Sequence, residues 1–158
     1  MSKINWIKLI ISLIICQAAG GIGSIFTAQS VSTWYLTLEK PGFNPPGWVF
    51  GPVWTTLFLL MGIALYLVWS KKGKQEVKTK AFIFFGIQWI LNIAWSFLFF
   101  YLQNPLAGFM EILILWFFIL LTIIYFYKIA KPAAYLLIPY LAWVSFAAVL
   151  NYYLYLLN

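Results

Sequence analysis

Five long apolar runs separated by polar stretches dominate the chain. They extend from Asn5 to Thr27, Gly47 to Trp69, Ala81 to Leu102, Leu106 to Tyr127 and Ala133 to Leu157. Each is close to the ~20 residues that an α-helix needs to cross the hydrocarbon core of a bilayer. We therefore predict an all-α integral membrane protein: one transmembrane domain over residues 1–158, built as a five-helix bundle.

The connections between these runs differ in length. The second, third and fourth are short, which predicts that the helices they join are antiparallel neighbours. The first, from Ala28 to Pro46, is long and leads into the stretch KPGFNPPGWVFGPVW, in which Pro45 and Pro46 restrict the backbone. Long connections without regular structure are often lids or binding loops. We expect this one to form the rim of a pocket.

Composition excludes several classes of protein. Charged residues make up 8% of the chain and hydrophobic residues 65%, whereas a soluble domain has about a quarter charged residues. With one cysteine and no histidine, neither a disulfide framework nor a Cys/His zinc site can form. The same composition excludes a Ser-His-Asp site. We expect no metal site and no required cofactor.

The lysines predict the orientation of the bundle. If five helices cross the membrane, the N-terminus, the second loop and the fourth loop share one side, which holds every lysine except Lys40. The positive-inside rule then places the N-terminus in the cytoplasm, with the long first loop and the C-terminus outside. The basic run KKGKQEVKTK therefore indicates topology and contact with anionic lipid, not nucleic-acid binding.

Aromatic and amide side chains fall at one depth in the outer half of the predicted bundle. Trp54 lies about 10 Å below the outer interface, counted from the helix rise. Asn92 and Trp95 lie about one turn apart on one face, and Trp143 and Ala147 begin another stripe. Polar groups inside a bilayer face the protein interior. We therefore predict a cavity at this depth, beneath the long loop.

Structural interpretations of these residues stay open. The deep tryptophans are also compatible with ordinary packing, and Asn92 and Asn151 with hydrogen bonds between helices. The small-residue face of Gly20 and Ser24 suits either a pocket or helix packing. For Glu111 we favour a bond to a neighbouring helix end over contact with a ligand.

Three motifs carry a resemblance to a known family. KPGFNPPGWVFGPVW, LNIAWSFLFF and PYLAWVSFAAVLN closely resemble the TspO/MBR family, which includes bacterial tryptophan-rich sensory proteins and the translocator protein, or peripheral-type benzodiazepine receptor. The resemblance covers essentially the whole chain. It implies a homodimer in the bacterial cell membrane that binds tetrapyrroles such as protoporphyrin IX. Animal members also bind isoquinoline-type drugs and cholesterol, but the C-terminal sterol motif is not expected here, since no Lys or Arg follows Lys131.

The resemblance also implies site residues. It places Trp54, Asn92, Trp95, Trp143 and Ala147 in the ligand pocket, and Tyr35 and Pro45 on the lid side. Ser24 and Phe58 complete the predicted ligand-binding set. Because bacterial relatives have been linked to light-dependent breakdown of protoporphyrin, Trp54 and Trp143 are the residues expected to take part in photo-oxidation.

Three functions are compatible with the sequence. The favoured one is a tetrapyrrole sensor or scavenger, with or without light- and oxygen-dependent degradation. The others are a porphyrin transporter and a lipid- or sterol-binding regulator. The chain shows no inverted repeat and no evident coupling-ion site, which argues against transport.

The predicted orientation can be tested by labelling. In a Cys16→Ala background, Ser2→Cys should react only with reagent on the cytoplasmic side, and Asn158→Cys only with reagent outside, because five crossings separate the two ends. Labelling in intact cells and in inverted vesicles measures this. Reaction of Asn158→Cys from the cytoplasmic side would reverse the assignment.

Overall fold

The described part of the protein, residues 3–158 of a computed structural model, is helical and contains no strand; the labelling position Ser2 lies outside this range. The helices are α1 (Trp6–Ala28), α2 (Trp34–Thr37), α3 (Gly47–Ser70), α4 (Gln75–Ser96), α5 (Pro105–Ile129), α6 (Lys131–Leu136) and α7 (Ile138–Leu157). A π-helical turn, Phe97–Tyr101, continues α4.

Five helical segments are long and apolar enough to cross a membrane, which confirms the predicted architecture. They are Trp6–Ala28, Gly47–Ser70, Gln75–Tyr101, Pro105–Ile129 and Lys131–Leu157. The third begins at Gln75, earlier than the apolar run, because backbone hydrogen bonding continues into the lysine-rich stretch. The length of an apolar run indicates which part of a helix lipid can cover, but it does not indicate where the helix begins or ends.

Asparagine side chains cap two of these helices. Asn5 Oδ1 accepts a hydrogen bond from the Lys8 backbone N–H at 3.1 Å, and Asn104 Oδ1 accepts one from the Ala107 N–H at 3.0 Å. Each cap satisfies one of the backbone donors that a helix start leaves unpaired. Polar residues thus fix the starts of α1 and α5.

The last apolar run is divided into two helices. α6 ends and α7 begins around Leu137, whose N–H donates to the Ala134 carbonyl at 3.1 Å. Pro139 lies in the first turn of α7, where its missing N–H is tolerated, whereas in a continuous helix it would remove a hydrogen bond. Proline therefore sets the position of this break.

The helices pair in an order that loop length did not predict. α1 packs on α3 and α4, α5 packs on α4 and α7, and α6 packs on α3 and α5. The expectation of antiparallel neighbours is confirmed for α4 and α5, and for α5 and the final span. It is wrong for α3 and α4, which have no extensive contact, because a short link joins helix ends without fixing how the helices diverge.

Small residues allow α1 and α3 to approach closely. A Cβ at Gly62 would lie 2.8 Å from Leu13 Cδ2 and 3.0 Å from Leu13 Cα, and one at Gly20 would lie 2.9 Å from the Phe58 ring. Gly23 faces Ser96 of α4. Gly20 and Gly23 therefore lie at helix contacts, which agrees with one of the two open interpretations of this face without excluding the other.

Gly62 should be intolerant of even one extra methyl group. Gly62→Ala places its Cβ against the backbone of α1, so we expect a loss of about 1–3 kcal/mol in stability, as overpacking usually causes. Gly21→Ala is the control, since nothing lies within 4 Å of that Cβ position. Denaturant unfolding in detergent would measure both, and equal stabilities would contradict the close approach.

Candidate ligand-binding cavity

A cavity of about 600 Å³ lies between α1, α3, α4 and α7. It lies where α3 and α4 make no extensive contact with each other. Small residues of α1 form one wall, among them Ala19, Gly20, Gly23 and Ser24, and aromatic residues form most of the others. The volume is in the range of small-molecule sites, about 300–1,000 Å³.

The predicted site residues lie together along this cavity, with one exception. Those that line it are Ser24, Tyr35, Trp54, Phe58, Asn92, Trp95, Trp143 and Ala147. Pro45 is half-buried but is not among the lining residues. Its carbonyl accepts a hydrogen bond from Asn44 Nδ2 at 3.1 Å, and it lies two residues before the start of α3.

Further lining residues were not predicted. Leu150 and Leu154 of α7 lie one and two turns beyond Ala147, so the stripe on that helix contained the signal. Phe99 and Phe100 also line the cavity and lie within the π-helical turn. That turn departs from the regular α-helical period, so helical spacing could not have shown that two consecutive residues face the cavity.

Neighbouring aromatic rings fix the planes of the cavity tryptophans. Trp54 stacks on Phe58, with ring centroids 5.6 Å apart and planes at 26°, and Trp95 stacks on Phe99 at 5.1 Å and 12°. Trp143 meets Phe50 edge to face at 6.0 Å. These are favourable aromatic geometries. The cavity is therefore walled by flat apolar surfaces held by their neighbours.

The two predicted amides differ in their partners but both connect helices. Asn151 Oδ1 accepts from Trp95 Nε1 at 3.0 Å, and its Nδ2 donates to the Pro105 carbonyl at 2.8 Å. Asn92 Nδ2 donates to the Tyr140 hydroxyl at 2.6 Å, which donates to Gln88 Oε1 at 2.9 Å. Interhelical bonding, left open for both residues, is what the structure shows.

Known proteins resemble this chain over nearly its whole length. The TspO/MBR family profile matches residues 12–156. Tryptophan-rich protein TspO of Archaeoglobus fulgidus is 50% identical over 98% of this chain and 99% of its own. The chain belongs to the TspO/MBR family. Human translocator protein is 38% identical over 83% of this chain and 78% of its own, and tryptophan-rich sensory protein of Cereibacter sphaeroides is 30% identical over 95% and 90%.

The segment that joins α1 to α3 in this TspO/MBR chain, residues 29–46, is fixed at several points. Ser30 Oγ donates to the Phe100 carbonyl at 2.6 Å. The Tyr35 hydroxyl donates to Asn44 Oδ1 at 3.2 Å. Burial raises the pKa of Tyr35 and this hydrogen bond opposes the rise, so the pKa remains above its ordinary value. Tyr35 is thus a neutral phenol that this segment contributes to the lining of the cavity.

Glu111 is separate from the cavity of this TspO/MBR protein. It is buried, it is not among the lining residues, and neither carboxyl oxygen has a hydrogen-bond partner within residues 3–158. Our favoured interpretation, a bond to a neighbouring helix end, is therefore wrong. A single acidic residue in an apolar run indicates burial inside the bundle, but it does not identify the group to which its carboxylate would hydrogen-bond.

Filling the cavity should weaken ligand binding without unfolding the bundle. Ala147→Phe projects a ring into the space beside Trp143, so we expect at least about a tenfold loss of protoporphyrin IX affinity by steric exclusion. Quenching of tryptophan fluorescence in the dark would measure it. Ala142→Phe, the same change at an exposed position of α7, is the matched control. Unchanged affinity in a folded Ala147→Phe protein would place the ligand elsewhere.

Proposed function

We propose that this membrane protein is a receptor or sensor that binds tetrapyrroles, protoporphyrin IX among them, in the tryptophan-lined cavity. Membership of the TspO/MBR family, with relatives named translocator protein and tryptophan-rich sensory protein, supports a sensor or transporter role in general. The observation that carries the finer proposal is the set of three indoles, Trp54, Trp95 and Trp143, around one cavity.

The geometry of these indoles suits a flat aromatic ligand. They come from α3, α4 and α7 and are held by stacking or edge contacts with Phe58, Phe99 and Phe50. A tetrapyrrole is a large planar π-system, which gains most from rings already fixed in orientation. Isoquinoline-type drugs share the flat aromatic character, so we include them among the ligands of the same cavity.

Two of the indoles have free N–H groups within the described residues. Trp95 Nε1 donates to Asn151, whereas no hydrogen bond is formed by Nε1 of Trp54 or Trp143 in residues 3–158. Their N–H groups are therefore available to a ligand. This distinguishes Trp54 and Trp143 from Trp95 as indoles that can still donate a hydrogen bond to a bound ligand.

The proposal extends to light- and oxygen-dependent degradation of the bound porphyrin. A light-excited porphyrin accepts one electron from Trp54 or Trp143, and the reduced porphyrin passes an electron to oxygen, which forms superoxide. The indole radical cation then regains its electron from the macrocycle, and the resulting porphyrin radical cation combines with superoxide, so the net change is the addition of one oxygen molecule to the macrocycle. The protein contributes proximity and shelter, and needs no acid or base group for this step.

We also propose that the protein is a homodimer in contact with membrane lipid. Gly86 on α4 has no atom within 4 Å of its Cβ position, and Ile83 and Ile90 on neighbouring turns are exposed. Ala94 continues this face. A stripe with a small residue at its centre permits close packing against a second helix.

Tryptophan replacement separates binding from photochemistry. Trp54→Phe and Trp143→Phe keep an aromatic face, so porphyrin affinity should fall by only about 1 kcal/mol. Phenylalanine is much harder to oxidise than indole, so light-dependent loss of bound porphyrin should nearly stop. Absorbance of the porphyrin under illumination with oxygen would follow it.

The control for this experiment is Trp116→Phe. Trp116 is half-buried like the cavity tryptophans, but its Nε1 donates to Ser145 Oγ at 2.7 Å and it does not line the cavity. Its variant should degrade porphyrin at the wild-type rate. If Trp54→Phe and Trp143→Phe do the same, the indoles serve binding alone.

A further inference from the structure

Lys40, in the segment between α2 and α3, carries a charge with no carboxylate partner. It is half-buried, and its Nζ donates to the Leu38 carbonyl at 3.0 Å. Within residues 3–158 the only ion pair joins Lys80 to Glu76. Because an ammonium group has three N–H donors, Lys40 retains capacity for a further acceptor.

This ammonium group lies against the wall of the cavity. Lys40 Nζ is 4.8 Å from the centroid of the Tyr35 ring, within the range of a cation–π contact, and Tyr35 lines the cavity. The hydrogen bond from Tyr35 to Asn44 holds the ring in place. The ammonium group of Lys40 therefore contacts a side chain that lines the cavity.

The backbone that carries Lys40 is also held. The Glu39 N–H donates to Asn158 Oδ1 at 2.9 Å, and Asn158 Nδ2 donates to the Glu39 carbonyl at 3.0 Å. This two-point contact ties the residue before Lys40 to the end of α7. A fixed backbone on one side and a fixed ring on the other restrict where the ammonium can reach.

The surroundings of the cavity make this charge exceptional. None of the described residues that line the cavity is charged. The other lysines of residues 3–158 lie at the start of α1, around the α3–α4 junction and around the α5–α6 junction, which is the opposite end of the bundle. Glu39, the residue before Lys40, is exposed and forms no ion pair with it in the described chain. A cation beside an apolar, low-dielectric space attracts an anion more strongly than one surrounded by water.

We infer that Lys40 is a carboxylate-recognition site at the cavity entrance, and that it selects flat apolar ligands with an acidic edge. The inference rests on the proposed tetrapyrrole binding. The macrocycle occupies the aromatic cavity, and a carboxylate side chain of the ligand forms a charge-assisted hydrogen bond with the Lys40 ammonium. Tetrapyrrole dicarboxylic acids have this division between an apolar disc and an acidic edge.

A comparison of protoporphyrin IX with its dimethyl ester tests the carboxylate directly. Affinities are measured in the dark, in one neutral detergent, for wild type, Lys40→Met and Lys40→Arg. Lys40→Met should lower affinity for the diacid about tenfold, the usual scale of a hydrogen bond to a charged group, and leave the ester unchanged. Lys40→Arg, which keeps the charge, should retain most of the affinity for the diacid.

The matched control is Lys71→Met, an exposed lysine at the opposite end of the bundle, which should alter neither affinity. Equal losses for diacid and ester in Lys40→Met would overturn the inference and assign Lys40 a structural role. Unchanged affinity for both would also overturn it, because Lys40 would then take no part in binding either porphyrin. If wild type binds neither porphyrin, the proposed function fails together with the inference; if it binds both and Lys40 has no selective effect, only the inference fails.

Discussion

The hydrogen bonds of Asn151 hold three helices in the register on which the cavity depends. Asn151 lies on α7, accepts from Trp95 of α4 and donates to the Pro105 carbonyl at the start of α5. Its side chain is buried, and in hydrocarbon there is no water to replace a lost partner. Gly108 accommodates this contact, because a Cβ there would lie 3.1 Å from Asn151 Oδ1. The orientation of Trp95, and of Phe99 stacked on it, follows from this link.

The cavity exists because close packing is distributed unevenly among the helices. α3 approaches α1 through Gly62, and α5 packs on both α4 and α7. No comparable contact joins α3 to α4, so space remains between them and is lined by large rings. Protein interiors are normally filled to high density, and empty apolar volume lowers stability. Retention of so large a space between packed helices is consistent with an occupant, whether ligand or lipid tail.

The chemical character of the site changes along its length. In the middle are stacked indole and phenyl rings, whose planes are fixed before any ligand arrives. Near residues 29–46 the wall ends at Tyr35, with the Lys40 ammonium against that ring. The proposed preference for a ligand that is flat, apolar over most of its surface and acidic at one edge rests on this arrangement. The chain is a membrane protein of the TspO/MBR family, and the identity of its ligand is the part that we propose.

The sequence by itself determined the membrane class, the five spans and eight of the residues that line the cavity. Apolar length fixes how many helices can cross a bilayer, and helical spacing together with three family motifs brings Trp54, Trp95 and Trp143 to one layer. Tertiary structure alone decided that α3 and α4 make no extensive contact, that Phe99 and Phe100 both face the cavity and that Pro45 does not line it. It also decided that Glu111 has no hydrogen-bond partner among residues 3–158. Periodicity specifies which side of a helix is buried, but the choice of neighbour depends on contacts between distant residues, such as Gly62 with Leu13 and Asn151 with Trp95. Those contacts have no signature within a single helix, and so they appear only when the helices are assembled.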